Sequence, residues 1–240
     1  MTESPSTNQE QFLLGVKHAI PISVGYFSIS ITFGVLSTSG GLSIFETTAM
    51  SMWVFAGASQ FIALNLIGVA SAFEIIFATF ILNLRHLLMS TTLARKIKAS
   101  KKSAAALSFG ITDETFAVAT LGKEQPSIQG SYFAGVALVA YLSWLMGTIV
   151  GAVFGEFIPA SITNSLGIAL YAMFIALLTP AIKSSRHHAY IAGLSALTCT
   201  GLYYMIPALS DGWSIVISTV FAATFGLKLQ VYNLEKEEVA

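Results

Sequence analysis

Residues 44–70 read IFETTAMSMWVFAGASQFIALNLIGVA. A run of 27 residues this apolar would measure about 40 Å as a straight helix, against a bilayer core of about 30 Å. Its middle, Phe55-Ala56-Gly57-Ala58-Ser59-Gln60-Phe61, puts small residues and an amide at mid-depth. That composition predicts a broken helix, whose irregular backbone lipid tolerates only where protein or water covers it. The competing reading of the same residues is a flat face for close helix packing.

Seven more apolar segments flank this one, at 12–36, 72–94, 104–121, 131–155, 162–182, 189–209 and 213–227. The connections are short and hide no soluble domain. The chain is 55% hydrophobic and 10% charged, where an ordinary soluble domain carries about 25% charge. Its twenty-four charges cannot coat a folded body of 25.5 kDa. The in–out alternation of a lipid-facing barrel is absent. The fold class is therefore all-α, a polytopic integral-membrane helical bundle. A polar tail covers 1–11, one transmembrane domain 12–228 and a charged tail 229–240. The first tail lacks the basic stretch of a secretory signal, so the first apolar segment is expected to be retained. Twelve basic and twelve acidic residues, thinly spread, form no nucleic-acid face. Cys199 stands alone, which leaves no disulfide framework and no thiolate metal site.

Basic residues gather on the cytoplasmic side of membrane proteins. If all eight segments cross, Arg95, Lys96, Lys98, Lys101 and Lys102 oppose Lys17, Lys123, Lys183, Arg186, Lys228 and Lys236. If segment 104–121 enters and leaves on one face, all but Lys17 share a side. The expectation is seven spans plus one re-entrant segment, with the N-terminus outside; eight spans is the alternative. Segments one to three and five to seven would then form an inverted repeat, with Phe33-Gly-Val-Leu and Gly151-Ala-Val-Phe-Gly lying at similar distances before Phe55 and Phe174. Gly147, Gly151 and Gly155 form a stripe for close packing of another helix.

Buried polar groups are costly in lipid, about 2.5–3.5 kcal/mol for a central Arg or Asp. Arg85 lies ten residues before Arg95, about 15 Å deeper on a helix, so it needs a partner. Thr79, Asn83, His86 and Ser90 fall on one face of the same helix. Asp113 and Glu114 are the acids in the middle of a segment, with Ser108, Thr112 and Thr115 around them. Arg85 is expected to pair with one acid. The cluster either holds the fold together or lines a path for substrate or protons, and Asp113, Glu114 and His86 are groups that can carry a proton. His187 and His188 read as a solvated loop with Arg186; Tyr203 and Tyr204 read as interfacial or packing residues. Pro21, Pro180 and Pro207 are expected at kinks.

Four stretches resemble the AzlC family, the large subunit of bacterial branched-chain amino-acid exporters. They are Pro21-Ile-Ser-Val-Gly25-Tyr26 with Phe33-Gly34, then Phe55-Ala-Gly-Ala-Ser-Gln-Phe61, Asn83-Leu-Arg85-His86-Leu-Leu-Met89, and Thr112-Asp113-Glu114-Thr-Phe116. The resemblance covers nearly the whole chain; at Thr115 the family pattern has a small apolar residue. It implies export of valine, leucine and isoleucine, and often methionine, across the bacterial inner membrane. It also implies a small AzlD-type membrane subunit as partner, no cofactor, and proton-gradient energy, in keeping with the lack of a Walker pattern. Under this reading a break at Gly57 frees backbone N–H groups of Gly57, Ala58 and Ser59 for the cargo carboxylate. Gln60 and Asn83 add polar contacts and Asp113 receives the ammonium. Asp113, Glu114, His86 and Arg85 form the proton-coupling set. The alternatives are an intramembrane enzyme, an exporter of another small hydrophobic metabolite, a channel or light-driven pump, and an accessory subunit. No GxSxG or HExxH supports the enzyme, no lysine deep in a late helix offers a retinal linkage, and a scaffold would not carry the intramembrane charges.

Overall fold

The computed structural model describes residues 7–121, 127–157, 159, 186–206, 209 and 211–239, with isolated positions between 168 and 183. Most of segment 162–182, with Phe174, lies outside the described residues, as do Lys123, Pro180 and Pro207. The chain divides into two units, Met1–Phe61 with Asn83–Ala169, and Ile62–Leu82 with Leu170–Ala240.

The first unit is organised by two long helices. α1 (Asn8–Ser39) starts at a capping box: Thr7 accepts from the Glu10 N–H at 3.2 Å, and Glu10 accepts from the Thr7 N–H at 2.8 Å. It runs as one helix through Pro21. The helix over Gly130–Phe154, α7 in chain order, lies beside it in the same direction. Gly15 faces Tyr132 and Val136 near the starts of both helices, and Gly34 faces Thr148 and Ala152 near their ends. Glycines on both helices permit this approach: a Cβ on Gly147 would strike Phe27 and Ser30, and one on Gly151 the Ile31 backbone. The stripe of glycines four apart thus finds its partner in α1. The end where α1 and α7 begin is called the near end, and the other the far end.

From the far end, a tight turn through Gly41 at φ +97° leads into α2 (Ile44–Trp53), capped by Ser43 and Glu46. α2 descends along α7: Ser51 bonds Thr148 at 2.8 Å, then the Met52 carbonyl accepts from Tyr141 at 3.0 Å. The helix breaks over Val54, Phe55 and Ala56, and α3 (Gly57–Leu66) begins. The chain then climbs again. Gln60 returns to Ser51 and Trp144, and Phe61 packs on Phe33, which precedes the Gly34 contact with Thr148. The break is where the sequence reading put it, but the chain reverses there. Segment 44–70, taken above as one of the seven spans, is a hairpin of two half-length helices. Hydropathy adds apolar residues along the chain and carries no sign of direction.

A second hairpin enters from the near end. α4 (Ala72–Ala94) runs against α1, its Leu93 packing with Ile128 and Phe133. It leads to β1 (Ile97–Lys98), α5 (Lys101–Ser108), α6 (Asp113–Leu121) and β2 (Ile128–Gln129), which precedes α7. β1 and β2 pair in parallel, Ile97 with Ile128 and Lys98 with Gln129, so the two ends of this stretch meet. Eight and nine residues make helices of about 12 and 14 Å, each half a bilayer core. α1 followed by a far-end hairpin, and α4 followed by a near-end hairpin, are one arrangement in opposite senses. This inverted relation joins consecutive pairs; the one expected between segments one to three and five to seven involves residues outside those described.

The same geometry bears on how the basic residues are grouped. Lys17 and the Arg95–Lys102 stretch both stand at the near end, whereas the charge count had set them on opposite faces. The count assumed that segment 44–70 changes sides.

In the second unit, α8 (Arg186–Met205) packs against α9 (Asp211–Val239). Leu66, Ala78 and Val216 are buried together, and Trp213 lies 5.6 Å from Phe77. His187 and His188 sit in the exposed first turn of α8 rather than in a loop. Among the described residues, α1, α4 and α7 are the helices long and apolar enough to cross a membrane.

Candidate functional site

The candidate site is at the tip of the second hairpin. Thr112 and Thr115 cap α6 reciprocally: the Thr115 N–H donates to Thr112 Oγ1 at 3.2 Å, and the Thr112 N–H to Thr115 Oγ1 at 2.8 Å. Thr115 also donates its hydroxyl to the Gly110 carbonyl at 2.8 Å. This ties the turn closed and sets Asp113 and Glu114 in the first turn of α6, where unpaired N–H groups favour negative charge.

The two neighbouring acids have different partners. Asp113 Oδ2 lies 2.6 Å from Arg85 Nη1, each side chain about 30% exposed (29% and 31%). Arg85 Nε is buried without a partner. Glu114 Oε2 accepts from the Tyr26 phenol at 2.5 Å, and Thr112 Oγ1 lies 2.6 Å from the same phenol oxygen. Tyr26 is only 6% exposed, and its ring meets Trp144 and Phe55 edge-on at 5.4 and 6.0 Å. His86 is partly buried, one residue beyond Arg85.

The tip of the first hairpin is held by neutral bonds. Gln60 donates to Ser51 at 2.9 Å and accepts the Trp144 indole N–H at 2.8 Å. It is wholly buried, and these two bonds brace the start of α3. The first backbone bond of α3 is Gln60 N–H to Ala56 C=O, which leaves the amides of Gly57, Ala58 and Ser59 ahead of the helix ladder. Ser59 donates to Asn83 Oδ1 at 2.7 Å. Asn83 and Arg85 are two residues apart on α4, about 3 Å of helix rise, so α4 touches both hairpins at nearly one level. Of the polar stripe on α4, Asn83 thus meets the first hairpin, while Thr79 bonds its own helix at Ile75.

Sequence reasoning missed Tyr26 and Trp144. The signal was present: a Tyr or Trp buried in an apolar helix needs a hydrogen-bond partner. Their partners lie 88 and 84 residues away, which no local pattern reveals.

The family model for the AzlC protein matches residues 21–158. The chain is 33% identical to an uncharacterized membrane protein of Archaeoglobus fulgidus, over 76% of this chain and 81% of that protein. It is 29% identical to the branched-chain amino acid transport protein AzlC of Bacillus subtilis, over 93% and 86% of the two chains. It is 30% identical to the inner membrane protein YgaZ of Escherichia coli, over 86% and 87%. No solved structure matches it.

Proposed function

The chain belongs to the AzlC family, and from that premise we propose that it is the large subunit of a secondary transporter exporting branched-chain amino acids from the cytoplasm. The cargo is valine, leucine, isoleucine and methionine, the inward proton gradient drives it, a small AzlD-type subunit completes the complex, and the bacterial inner membrane houses it. The similarity to a protein named for branched-chain amino acid transport supports the cargo class. The observation that carries the mechanism is the division of the adjacent acids, Asp113 to Arg85 and Glu114 to Tyr26.

A zwitterion has no net charge, so the membrane potential acts on its export only through a coupled ion. Asp113 is committed to Arg85, and Glu114 is the acid that takes and releases the proton. The cargo carboxylate meets the amides of Gly57, Ala58 and Ser59, with Ser59 oriented by Asn83. The ammonium meets Asp113. His86 is the next candidate for the proton.

The topology follows from the same frame. The proposed topology has α1, α4 and α7 crossing, the two hairpins entering from opposite faces, and the apolar sequence segments 162–182, 189–209 and 213–227 expected to cross. That makes six crossings with both termini in the cytoplasm. Eleven of the twelve Lys and Arg residues then lie on the cytoplasmic side, and Arg85 is the one at depth. A cysteine at Gln11 or Ser100 in a Cys199→Ser background should be shielded from an impermeant thiol reagent in intact cells, while one at Ser43 should label. Labelling at Gln11 would return the N-terminus to the outside.

The central test is flux of radiolabelled valine in vesicles, with and without the small subunit. Glu114→Gln should lose accumulation against a gradient yet keep exchange of valine for valine. If Glu114→Gln still builds a gradient that collapses with a protonophore, Glu114 is not the carrier. Turnover of a substrate in detergent, without any gradient, would point to an enzyme instead.

A further inference from the structure

We infer that Tyr26 is the positioning residue that ties the proton site on the second hairpin to the cargo site on the first. The inference rests on the assignment of Glu114 as proton carrier. Tyr26 belongs to neither hairpin. It projects from α1, which packs along α7 through most of its length. Its phenol reaches the second hairpin, at Glu114 and Thr112. Its ring reaches the first, lying edge-on to Phe55 in the break between α2 and α3. The same ring rests on Trp144, whose indole N–H holds Gln60 and whose ring lies 2.5 Å from where a Cβ on Gly57 would stand. One buried side chain therefore contacts the carrier acid, the broken turn and the wall behind the α3 start.

This arrangement transmits charge as movement. Glu114 meets Tyr26 from α1, Thr112 of its own hairpin bonds the same phenol, and the neighbouring Asp113 pairs with Arg85 from α4, next to His86. A hydrogen bond to an ionised carboxylate is about twice as strong as one to a neutral carboxyl. When Glu114 takes a proton, its bond to the phenol loses about half its strength, and the balance shifts towards Thr112, which already lies 2.6 Å from the phenol oxygen. A turn of the phenol moves the ring against Phe55 and Trp144, and with them the start of α3. Tyr26 keeps its own proton throughout; the transferred proton enters and leaves on Glu114.

The test uses the complex reconstituted in vesicles, with two variants. Tyr26→Phe keeps the ring and removes the hydroxyl. Phe55→Leu keeps the hydroxyl on Glu114 and removes the ring contact. One readout is the infrared carboxyl band assigned to Glu114 by its loss in Glu114→Gln, followed through a pH titration. The other is the ratio of valine accumulation to valine exchange. Tyr26→Phe should move the band and cut accumulation about tenfold, with exchange within about threefold of wild type, as expected when coupling rather than binding is lost. Phe55→Leu should leave the band in place and cut accumulation likewise. A band and an accumulation ratio unchanged in Tyr26→Phe, with only the thermal midpoint lowered, would overturn the inference. So would full accumulation in Phe55→Leu. If wild-type vesicles move no valine while Tyr26→Phe still shifts the Glu114 band, the hold of Tyr26 on Glu114 is upheld and the cargo assignment is the part that fails.

Discussion

The two hairpins share a design and differ in what closes them. The first turns through Val54, Phe55 and Ala56, and its bonds are neutral: Gln60 to Ser51, Trp144 to Gln60, Ser51 to Thr148. The second turns through Gly110 and Thr112, and it carries two carboxylates whose partners, Arg85 and Tyr26, come from α4 and α1. Neutral buried bonds satisfied at both ends hold one geometry. A carboxylate held by a phenol changes its bond with every proton it takes or loses. On the proposed mechanism, the first hairpin keeps a fixed geometry and the second carries the changing state.

Removing the charge pair should break that contrast most severely. Arg85→Ala leaves Asp113 without its ion partner, and Asp113→Asn leaves Arg85 so. Truncating one side of such a pair costs about 3–5 kcal/mol when it is buried, and this pair is about 30% exposed (31% and 29%), so the lower part of that range applies. Both variants should lower the thermal midpoint in detergent by several degrees and reduce net valine flux and valine exchange together. Exchange at wild-type rate in Asp113→Asn would remove Asp113 from the cargo path. Glu114→Gln should be more selective, losing accumulation alone. One proton moving through about 150 mV yields about 3.5 kcal/mol, enough to hold a gradient of about 300-fold. That ratio should fall to near unity in the variant while exchange persists.

The first hairpin should respond in stability rather than coupling. Gln60→Leu strands the Trp144 indole N–H and takes a donor from Ser51, in a region where Gln60 and Ser51 are both wholly buried. Each orphaned group costs about 1–3 kcal/mol. The thermal midpoint in detergent should drop clearly, while the surviving folded protein keeps its ratio of accumulation to exchange. A changed ratio at unchanged stability would mean that the first hairpin also carries the switch. Gly57→Ala sharpens the same point, because even one methyl meets the Trp144 ring at 2.5 Å. It should impair transport through the shape of the α3 start.

What the sequence made legible follows from how local each signal is. The break before Gly57 was readable because small residues and an amide interrupt one apolar run. The approach of another helix to Gly147 and Gly151 was readable because the stripe lies within one helix. The pairing of Arg85 with an acid was readable because lipid forces deep charges to meet. The reversal of 44–70 was not, because two half-helices and one kinked span have the same hydropathy. That one misreading also parted Lys17 from the Arg95–Lys102 stretch, although both stand at the same end. The burial of Gln60 and the bond between Tyr26 and Glu114 join residues far apart in sequence, and only the fold brings them together.

The smallest effect should come from Thr115, at the foot of the changing hairpin. Thr115 is wholly buried, and its hydroxyl oxygen accepts the Thr112 N–H and donates to the Gly110 carbonyl. Thr115→Val keeps the shape and removes both bonds. The Thr112 N–H then loses its acceptor, while the Gly110 carbonyl retains a second lone pair to satisfy in other ways. One orphaned N–H of this kind costs about 1–3 kcal/mol, less than the two stranded by Gln60→Leu, so the thermal midpoint should fall by several degrees. The chemistry should survive, because neither Asp113 nor Glu114 bonds Thr115 among the described residues. The Thr112 hydroxyl, also 2.6 Å from Tyr26 Oη, remains to cap α6 through the Thr115 N–H. Loss of accumulation in Thr115→Val, at a thermal midpoint near that of wild type, would show that the cap positions the acids as well as closing the turn. The fixed and changing parts would then meet within the second hairpin rather than divide between the two.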